Sequence, residues 1–465
     1  MEWKDRKVLV LGLGDTGLSM TRWLARHGAR VSVADTRAEP PHARTLAAER
    51  AGIPLAAGPW REDLFTEADT IAISPGIDRR EPYVTGALAR GVPIVGDIEI
   101  FALALSDLAR GKQAARPKVL AITGSNGKST VTAMTGEISS ASGRRTVVAG
   151  NIGLPVLDAL AEIEGGAPMP DVFALELSSF QLESTSSLEP DAASVLNVTE
   201  DHLDRYDGLA GYAAAKARIF EGSGVQILNR QDRWSRGMAQ PGRSIVTFGL
   251  DSPRRAHEWG ISADSLLAHG AELMMPVAAL PVAGLHNAAN ALAALALGDA
   301  IGLPAGPMLE GLRRFRGLPH RLERIKDIRG VAFYDDSKGT NIGATVAALN
   351  GMTTPVVLIA GGDGKGQDFS PLEAAVAARA RSVVLIGRDA PAIERALKGS
   401  RVPLVRATSM EEAVDMAYRA AVAGDAVLLS PACASYDMFR SYVHRGEVFV
   451  QAVHALALRE EGGAP

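Results

Sequence analysis

A short stretch near residue 124 carries the residue types that bind a nucleotide phosphate. An apolar segment runs directly into Gly124-Ser-Asn-Gly-Lys-Ser-Thr130, and helix-forming residues follow. Glycines let backbone N–H groups surround an anion, Lys128 supplies a positive charge, and Ser129 can ligate Mg²⁺. The usual phosphate loop has a glycine five positions before its Gly-Lys pair, where this chain has Ile122. The pattern therefore predicts either a shortened phosphate loop or an ordinary glycine-rich turn between a strand and a helix.

Three ionisable side chains further along could act beside such a loop. Glu176 lies inside the apolar run Val172-Phe-Ala-Leu-Glu-Leu177. Burying an unpaired carboxylate is costly, so this position favours a metal ligand. His202 follows the next predicted strand, within Asn197-Val-Thr-Glu-Asp-His-Leu-Asp204, and is either a capping or surface histidine or a contact of Mg²⁺ or phosphate. Lys216 lies in an alanine-rich helical segment and, from its neighbours alone, could equally be a solvated lysine.

A second glycine-rich turn follows the first predicted strand of the chain. Gly12-Leu-Gly14-Asp-Thr-Gly17 opens a helical segment, and Asp35 closes the next strand about twenty residues later. This spacing is typical of dinucleotide binding, yet the same turn would hold any diphosphate, and Asp35-Thr36-Arg37 could contact a base or a ribose. Ser74-Pro75-Gly76 follows a third strand, where ligands of open α/β sheets collect, although Pro75-Gly76 could serve only as a turn. A nicotinamide dinucleotide therefore remains one alternative among several ligands.

The last third of the chain places polar residues after three more predicted strands. Lys338 and Thr340 follow the first of them, Lys365 the second and Ser435 the third. The carboxyl ends of parallel strands meet in one crevice, so these lysines and hydroxyls could bind a ligand with two carboxylates. The alternative is that both lysines are solvated loop residues.

The elements that must position these residues are strands alternating with alanine-rich helices, which predicts an α/β protein with doubly wound parallel sheets. A chain of 465 residues is long enough for about three domains. The net charge of −4, with both signs evenly mixed, gives no sign of a nucleic-acid partner. No apolar run resembles a membrane span or a signal segment, so we expect a soluble, cytoplasmic protein. The single cysteine, Cys433, excludes an internal disulfide and a multi-thiolate metal site.

The order of these motifs resembles that of the Mur ligases, which are ATP-dependent enzymes that add amino acids to peptidoglycan precursors. The further matching motifs are Gly150-Asn-Ile-Gly153, Glu176-Leu-Ser-Ser-Phe-Gln-Leu182, Tyr212 with Lys216, and Leu285-His-Asn-Ala-Ala-Asn290. The match covers essentially the whole chain. It implies a UDP-precursor-binding Rossmann-like domain at 1–110, a central P-loop ATPase-type α/β domain at 111–317 and a Rossmann-like amino-acid-binding domain at 318–465.

The resemblance also implies an activity and a set of site residues. The enzyme would use ATP and two Mg²⁺ ions to phosphorylate UDP-N-acetylmuramoyl-L-alanine and would join the acyl phosphate to D-glutamate, acting as a monomer. The implied ATP-binding residues are Gly124, Ser125, Asn126, Gly127, Lys128, Ser129, Thr130, Asn287, Asn290, Arg321 and Asp336. The implied precursor-binding residues are Gly14, Asp15, Thr16, Asp35, Thr36, Arg37, Ser74, Pro75, Gly76 and Asn151. The implied D-glutamate-binding residues are Lys338, Thr340, Lys365, Ser435, Tyr436 and Tyr442. The implied metal ligands are Ser129, Glu176, His202 and Lys216, and the implied catalytic residues are Lys128, His202 and Lys216.

Three finer expectations accompany the resemblance. Lys216 would carry a carbamate that helps to hold a metal ion. The polar segment at residues 111–117 would be a linker, and hinges near residues 110–117 and 317–321 would let the domains close on the substrates. Tyr442 stands where the family has another aromatic residue that contacts the amino acid, and Tyr436 stands where an aliphatic residue is common. These two tyrosines depart from the family pattern in the glutamate pocket.

Overall fold

The computed structural model describes residues 2–111, 116–202, 204–282 and 284–462. Its described strands form three separate sheets covered by helices, which confirms the predicted α/β class. Most residues of the central strands are buried on both faces, as in β17, where all six residues are buried. Such strands need covering helices on each side, and the alternation of strands and helices along the chain supplies them.

The first sheet is parallel throughout and has the strand order β3-β2-β1-β4-β5. Its strands are β1 Lys7–Leu11, β2 Arg30–Asp35, β3 Leu55–Ala57, β4 Thr70–Ile73 and β5 Ile94–Val95. Its helices are α1 Asp15–Arg26, α2 Ala43–Glu49, α3 Glu62–Thr66, α4 Pro82–Ala89 and α5 Asp97–Gly111. The order along the sheet reverses between β1 and β4, which is where such sheets bind ligands.

The second sheet has nine strands in the order β14-β13-β12-β11-β10-β9-β6-β8-β7. Its strands are β6 Lys118–Thr123, β7 Thr146–Gly150, β8 Val172–Glu176, β9 Ala192–Val195, β10 Val225–Asn229, β11 Ile245–Phe248, β12 Glu258–Ile261, β13 Leu266–His269 and β14 Glu272–Pro276. The helices in this part of the chain are α6 Lys128–Ala141, α7 Val156–Glu164, α8 Ser179–Glu183, α9 Gly208–Ala217, α10 Arg233–Gly237, α11 Leu285–Ala300 and α12 Ala305–Arg314. The strands from β7 to β12 are parallel, and β13 pairs with β12 in the antiparallel sense.

The third sheet has six strands in the order β15-β16-β20-β17-β18-β19, and only β15 is antiparallel to its neighbour. Its strands are β15 Glu323–Ile328, β16 Val331–Asp335, β17 Val356–Gly361, β18 Ala380–Ile386, β19 Leu404–Arg406 and β20 Ala426–Leu429. Its helices are α13 Ile342–Gly351, α14 Leu372–Arg379, α15 Ala390–Ala396, α16 Met410–Ala420 and α17 Tyr442–Glu461. The ends of β16, β17 and β20 are adjacent, so the loops that follow them can share one pocket.

The chain divides into two compact units. The first unit comprises the chain up to Val198, Arg205–Met275 and Ala291–Leu312, and it holds the first two sheets. The second unit comprises Thr199–Asp204, Pro276–Asn290 and the chain from Arg313 onwards, and it holds the third sheet. In the described part of the chain, no helix combines the length and the apolar character that crossing a membrane requires.

Buried polar contacts join the first two sheets inside the first unit. The Glu99 carboxylate, in the first turn of α5, accepts hydrogen bonds from the backbone N–H and the hydroxyl of both Ser186 and Ser187. Asp97 is 3% exposed and accepts a hydrogen bond from Gln181 Nε2 at 2.9 Å. The segment that follows β8 is thereby fastened to α5. Of the predicted linker, Gly111 ends α5, and residues 112–115 lie outside the described residues.

Candidate functional site

The glycine-rich stretch forms a loop between β6 and α6. Gly124 and Gly127 have φ angles of +154° and +84°, which residues other than glycine rarely adopt. A Cβ on Gly124 would also lie 3.1 Å from the Cβ of Leu196. Lys128 Nζ donates hydrogen bonds to the carbonyl oxygens of Gly124 and Ser125, each at 3.0 Å. The loop thus curls in front of the N-terminus of a 14-residue helix, an arrangement that favours an anion.

Asn197, just beyond β9, anchors this loop. Its Oδ1 accepts a hydrogen bond from the Asn126 backbone N–H at 2.8 Å, and its Nδ2 donates to the Asn126 carbonyl at 3.1 Å. The Asn197 carbonyl also accepts from the Ser125 N–H at 2.9 Å. These contacts hold the loop in one conformation and so lower the entropy cost of binding a ligand there. The motif contained Asn197, but nothing local in the sequence predicted that it would hold the loop.

Glu176 has the environment of a cation ligand. It is the last residue of β8, pairs in register with Ile122 of β6, and is 2% exposed. Its Oε1 accepts a hydrogen bond from Asn151 Nδ2 at 2.8 Å, whereas its buried Oε2 has no hydrogen-bond partner within the described residues. A buried carboxylate oxygen without a donor is costly unless a cation neutralises it. Ser129, which is 5% exposed in the first turn of α6, offers a hydroxyl of the kind that binds Mg²⁺ in phosphate loops.

Lys216 is buried, so the alternative of a solvated lysine is wrong. It lies on α9 and is 1% exposed. Its Nζ donates a hydrogen bond to the Gly124 carbonyl at 2.8 Å and lies 4.4 Å from the centroid of the Tyr212 ring. The lysine therefore contacts the glycine-rich loop directly.

A second set of predicted residues meets at the point of the first sheet where the strand order reverses. Ser74, after β4, donates its hydroxyl hydrogen bond to the Gly12 carbonyl at 3.1 Å. Burial opposes ionisation of Asp35, but hydrogen bonds from Arg37 and from the backbone N–H groups of Leu13 and Arg37 outweigh it and lower the Asp35 pKa to about 2. Gly14 is the N-cap of α1, so the N-terminus of this helix directly follows the glycine-rich turn. The arrangement suits a diphosphate at the helix N-terminus.

The predicted residues His202, Asn287 and Asn290 belong to the second unit. Asn290 Nδ2 donates to Asn287 Oδ1 at 3.2 Å, so the two amides lie on one face of α11. His202 has a φ of +55°, and its ring lies 3.6 Å from the Asp201 carboxylate. Its side chain is 34% exposed. Leu203, which belongs to the same motif, lies outside the described residues.

In the third sheet, Lys338 and Tyr442 lie together. Lys338 Nζ is 3.9 Å from the centroid of the Tyr442 ring, close enough for a cation–π interaction. Tyr442 is the first residue of α17, and its carbonyl accepts a hydrogen bond from the Ser337 hydroxyl at 2.7 Å. The loop after β16 is thus tied to the start of α17.

The remaining predicted residues of this sheet differ in exposure. Ser435 is 2% exposed, whereas Tyr436 beside it is 75% exposed. Lys365 is exposed, so the solvated-lysine alternative describes its state in the free protein. The loops that carry Lys365 and Ser435 are joined by the paired backbone of Asp363 and Ala434. Thr340 lies on the same loop as Lys338, after β16.

Arg445 was not predicted, yet it connects these loops. It is fully buried on α17 and donates hydrogen bonds to the Ser337 hydroxyl, the Ser337 carbonyl and the Cys433 carbonyl at 2.8–3.0 Å. Desolvation lowers the Arg445 pKa to about 10. The arginine has three hydrogen-bond acceptors on two loops from distant parts of the sequence, so no local pattern could have predicted the contact. Such a contact helps to set the spacing of the loops after β16 and β20.

Asp336 differs from an ordinary surface acid. Its Oδ2 accepts a hydrogen bond from the Ser430 hydroxyl at 2.7 Å. Desolvation raises the Asp336 pKa to about 7, against the opposing effects of that hydrogen bond and of the positive charge of Arg321. A buried acid whose pKa is raised in this way is a candidate for contact with a ligand.

Comparison with known families assigns these three sheets to the domains of one family of ligases. The Mur ligase middle domain matches residues 122–298, the Mur ligase MurD-like N-terminal domain matches 6–96, and the Mur ligase glutamate ligase domain matches 320–433. The chain belongs to the Mur ligase family. It is 59% identical over 465 residues to the UDP-N-acetylmuramoylalanine–D-glutamate ligase of Thiobacillus denitrificans, covering 98% of each chain. It is 57% identical over 463 residues to the enzyme of that name from Methylobacillus flagellatus, covering 99% of each chain.

Solved structures share the fold at low sequence identity. MurF from Acinetobacter baumannii aligns with a TM-score of 0.61 and 18% identity, covering 96% of this chain and 93% of that chain. The UDP-N-acetylmuramate-alanine ligase MurC from Thermotoga maritima aligns with a TM-score of 0.59 and 20% identity, covering 97% of this chain and 100% of that chain. The folylpolyglutamate synthase of Mycobacterium tuberculosis, solved with ADP and AMPPCP, aligns with a TM-score of 0.54 and 18% identity, covering 77% and 94%.

Proposed function

We propose that this protein is an ATP-dependent ligase that adds D-glutamate to UDP-N-acetylmuramoyl-L-alanine in peptidoglycan precursor synthesis. The observation that carries the proposal is the 59% identity to a ligase of that name, which extends over 98% of both chains. The glycine-rich loop at Lys128, which Asn197 holds in place, and the lysine-bearing loops of the third sheet support it, because this reaction needs one site for ATP and one for a dicarboxylic amino acid. A cytoplasmic location and a monomeric state stay predictions.

The reaction divides into two steps. A free carboxylate is a poor electrophile because its leaving group would be oxide, so ATP first converts it to an acyl phosphate with phosphate as the leaving group. The amine of D-glutamate then attacks the acyl carbon, and phosphate departs. Phosphoryl transfer depends mainly on positioning and on neutralising charge. In this chain Lys128 and the backbone N–H groups of its loop would hold the phosphates of ATP for the first step.

The metal ligands proposed from the sequence suit Mg²⁺. Glu176 has one buried carboxylate oxygen without a donor, and the Ser129 hydroxyl stands at the start of α6. A bound Mg²⁺ would neutralise charge on the transferring phosphoryl group. Lys216, once carbamylated, and His202 would supply further oxygen and nitrogen ligands. The proposal of two ions rests on this larger set of ligands.

For the two substrates, the proposal assigns the first and third sheets. The helix N-terminus at Gly14, with Asp35 and Ser74, would bind the UDP part of the precursor. Both oxygens of Asp35 already accept hydrogen bonds from Leu13 or Arg37, which leaves that carboxylate poorly suited to hold a nicotinamide ribose. On the third sheet, Lys338 and Lys365 would bind the two carboxylates of glutamate, with Thr340 and Ser435 as hydroxyl donors. Asn287, Asn290, Arg321 and Asp336 would contact ATP.

A phosphate-release assay tests the function. Purified protein is mixed with ATP, Mg²⁺, UDP-N-acetylmuramoyl-L-alanine and D-glutamate, and each component is omitted in turn. We expect full turnover only with all four, and mass spectrometry should detect the glutamate adduct. Turnover with another amino acid and none with D-glutamate would refute the proposed substrate. Thermal-shift titration should show stabilisation by the precursor, and saturable micromolar binding of NAD would refute the assignment of the first sheet.

A further inference from the structure

Arg205 contacts the loop that would bind the UDP precursor. Its Nη1 and Nη2 donate hydrogen bonds to the carbonyl oxygens of Gly76 and Ile77 at 3.3 and 3.1 Å. Its Nε lies 3.2 Å from the Asp78 carboxylate. One guanidinium thus contacts three consecutive residues after Ser74. Only arginine offers donors in that planar fork, because a lysine ammonium is a single point of charge.

The opposite side of Arg205 is also fixed. Its guanidinium carbon lies 4.4 Å from the centroid of the Phe180 ring, and Phe180 stacks on Tyr206 with the rings 5.9 Å apart. The side chain is 15% exposed. Phe180 belongs to α8, next to the second sheet, whereas the loop at residues 76–78 extends from the first sheet. Arg205 therefore lies between an aromatic platform on one sheet and a ligand loop on the other, within a single compact unit.

The loop contacts the glycine-rich turn on its other side. A Cβ on Gly12 would lie 3.4 Å from Cγ1 of Ile77 and 3.2 Å from the Ser74 hydroxyl, so the loop packs closely on the turn that opens α1. The Ile77 N–H donates to the Ser74 carbonyl at 3.0 Å, which closes a tight turn. The loop thus has Gly12 on one side and Arg205 on the other. Without Arg205, two of its carbonyl groups would lose charged donors.

We propose that Arg205 is a positioning residue that holds residues 74–78 in the conformation that binds the UDP precursor. The proposal rests on the function proposed above and adds a residue that the sequence resemblance did not assign. The contacts of Arg205 described above go to residues 76–78 and to Phe180, and none of them goes to the loop at Lys128. The effect of Arg205 is to order residues 74–78 before the ligand arrives, so that less conformational entropy is lost on binding. Loss of Arg205 should therefore weaken precursor binding and leave the kinetics of the other substrates nearly unchanged.

The test compares Arg205→Ala, Arg205→Lys and Arg80→Ala with the wild-type enzyme in the phosphate-release assay. We expect Arg205→Ala to raise the KM for the precursor roughly tenfold, since two charge-assisted hydrogen bonds are lost, with the KM for ATP and for glutamate changed less than twofold. Arg205→Lys should recover only a small part of the loss, because it keeps the charge and not the fork. Arg80→Ala is the matched control, since exposed Arg80 pairs with the same Asp78 carboxylate. It should leave the KM for the precursor near the wild-type value.

Chemical rescue separates positioning from a general loss of structure. Adding guanidinium at a concentration that leaves the wild-type enzyme unaffected should lower the precursor KM of Arg205→Ala and not that of Arg80→Ala. An unchanged precursor KM in Arg205→Ala, full recovery by Arg205→Lys, or an equal rise in the KM of all three substrates would overturn the proposal. If the wild-type enzyme itself gives no precursor-dependent phosphate release, the proposed function fails first. Direct calorimetric binding of the precursor to the wild type and to Arg205→Ala then decides the role of Arg205 independently of turnover.

Discussion

The cation–π contact between Lys338 and Tyr442 can be tested quantitatively by changing Tyr442. The Lys338 ammonium lies 3.9 Å from the centroid of the Tyr442 ring, and both residues are half-buried. A cation–π contact of this kind stabilises by about 1 kcal/mol at an exposed site and about 2 kcal/mol at a desolvated one. If the ring holds the ammonium where it meets a glutamate carboxylate, Tyr442→Leu should raise the KM for D-glutamate by roughly 5- to 30-fold. Tyr442→Phe keeps the ring face and should change that KM less than twofold.

The assay is steady-state phosphate release with D-glutamate varied at saturating ATP and precursor. A more demanding version replaces Tyr442 by phenylalanines carrying increasing numbers of ring fluorines, which weaken the negative face of the ring with little change of shape. The logarithm of the glutamate KM should rise stepwise with fluorination, while the KM for ATP stays constant. Equal kinetics for Tyr442→Leu and Tyr442→Phe, or no trend along the fluorinated series, would refute the cation–π explanation and leave Tyr442 as a packing residue.

Three further predictions concern ionisable groups. Lys365→Ala should raise the KM for D-glutamate roughly 30-fold or more, with little change in the KM for ATP, because the exposed lysine would gain its carboxylate partner only in the complex. Unchanged glutamate kinetics would show that Lys365 stays solvated. Lys216 should show a carbamate signal by NMR in ¹³CO₂. The Lys216→Ala enzyme should lose most of its activity and regain part of it when a short carboxylic acid is added. An active mutant would contradict the assignment of Lys216 as the carbamylated lysine. Burial raises the Asp97 pKa to about 6, so the folded state binds an extra proton between pH ~4 and ~6, and stability should fall as pH rises through that window. Asp97→Asn should remove about 3 kcal/mol of this pH dependence in denaturant titrations, and identical pH profiles for mutant and wild type would count against it.

Sequence patterns predicted those parts of the candidate site that are formed by one strand and the turn that follows it. The loop at Lys128 and the buried carboxylate of Glu176 follow directly from an apolar run that ends in glycines or in one acid. The burial of Lys216 could not be read from its alanine-rich neighbours, because a group that it contacts, the Gly124 carbonyl, is distant in sequence. The contacts of Asn197 and Arg205 were missed for the same physical reason. Their partners are far away in sequence, and hydrogen bonds across such distances leave no period or spacing that a sequence pattern could display.

The Glu99 carboxylate has a consequence for exchanging parts between related enzymes. The predicted linker within residues 112–117 is the obvious place to join the first sheet of another enzyme to the second sheet of this one. Such a chimera would leave Ser186 and Ser187 facing whatever residue replaces Glu99, with four donors in need of an acceptor. The unit that can be transplanted intact is therefore both sheets together. If the loops at residues 14–17 and 74–78 bind the precursor as proposed, another enzyme's precursor specificity should be easier to graft through these loops than by replacing the whole N-terminal segment.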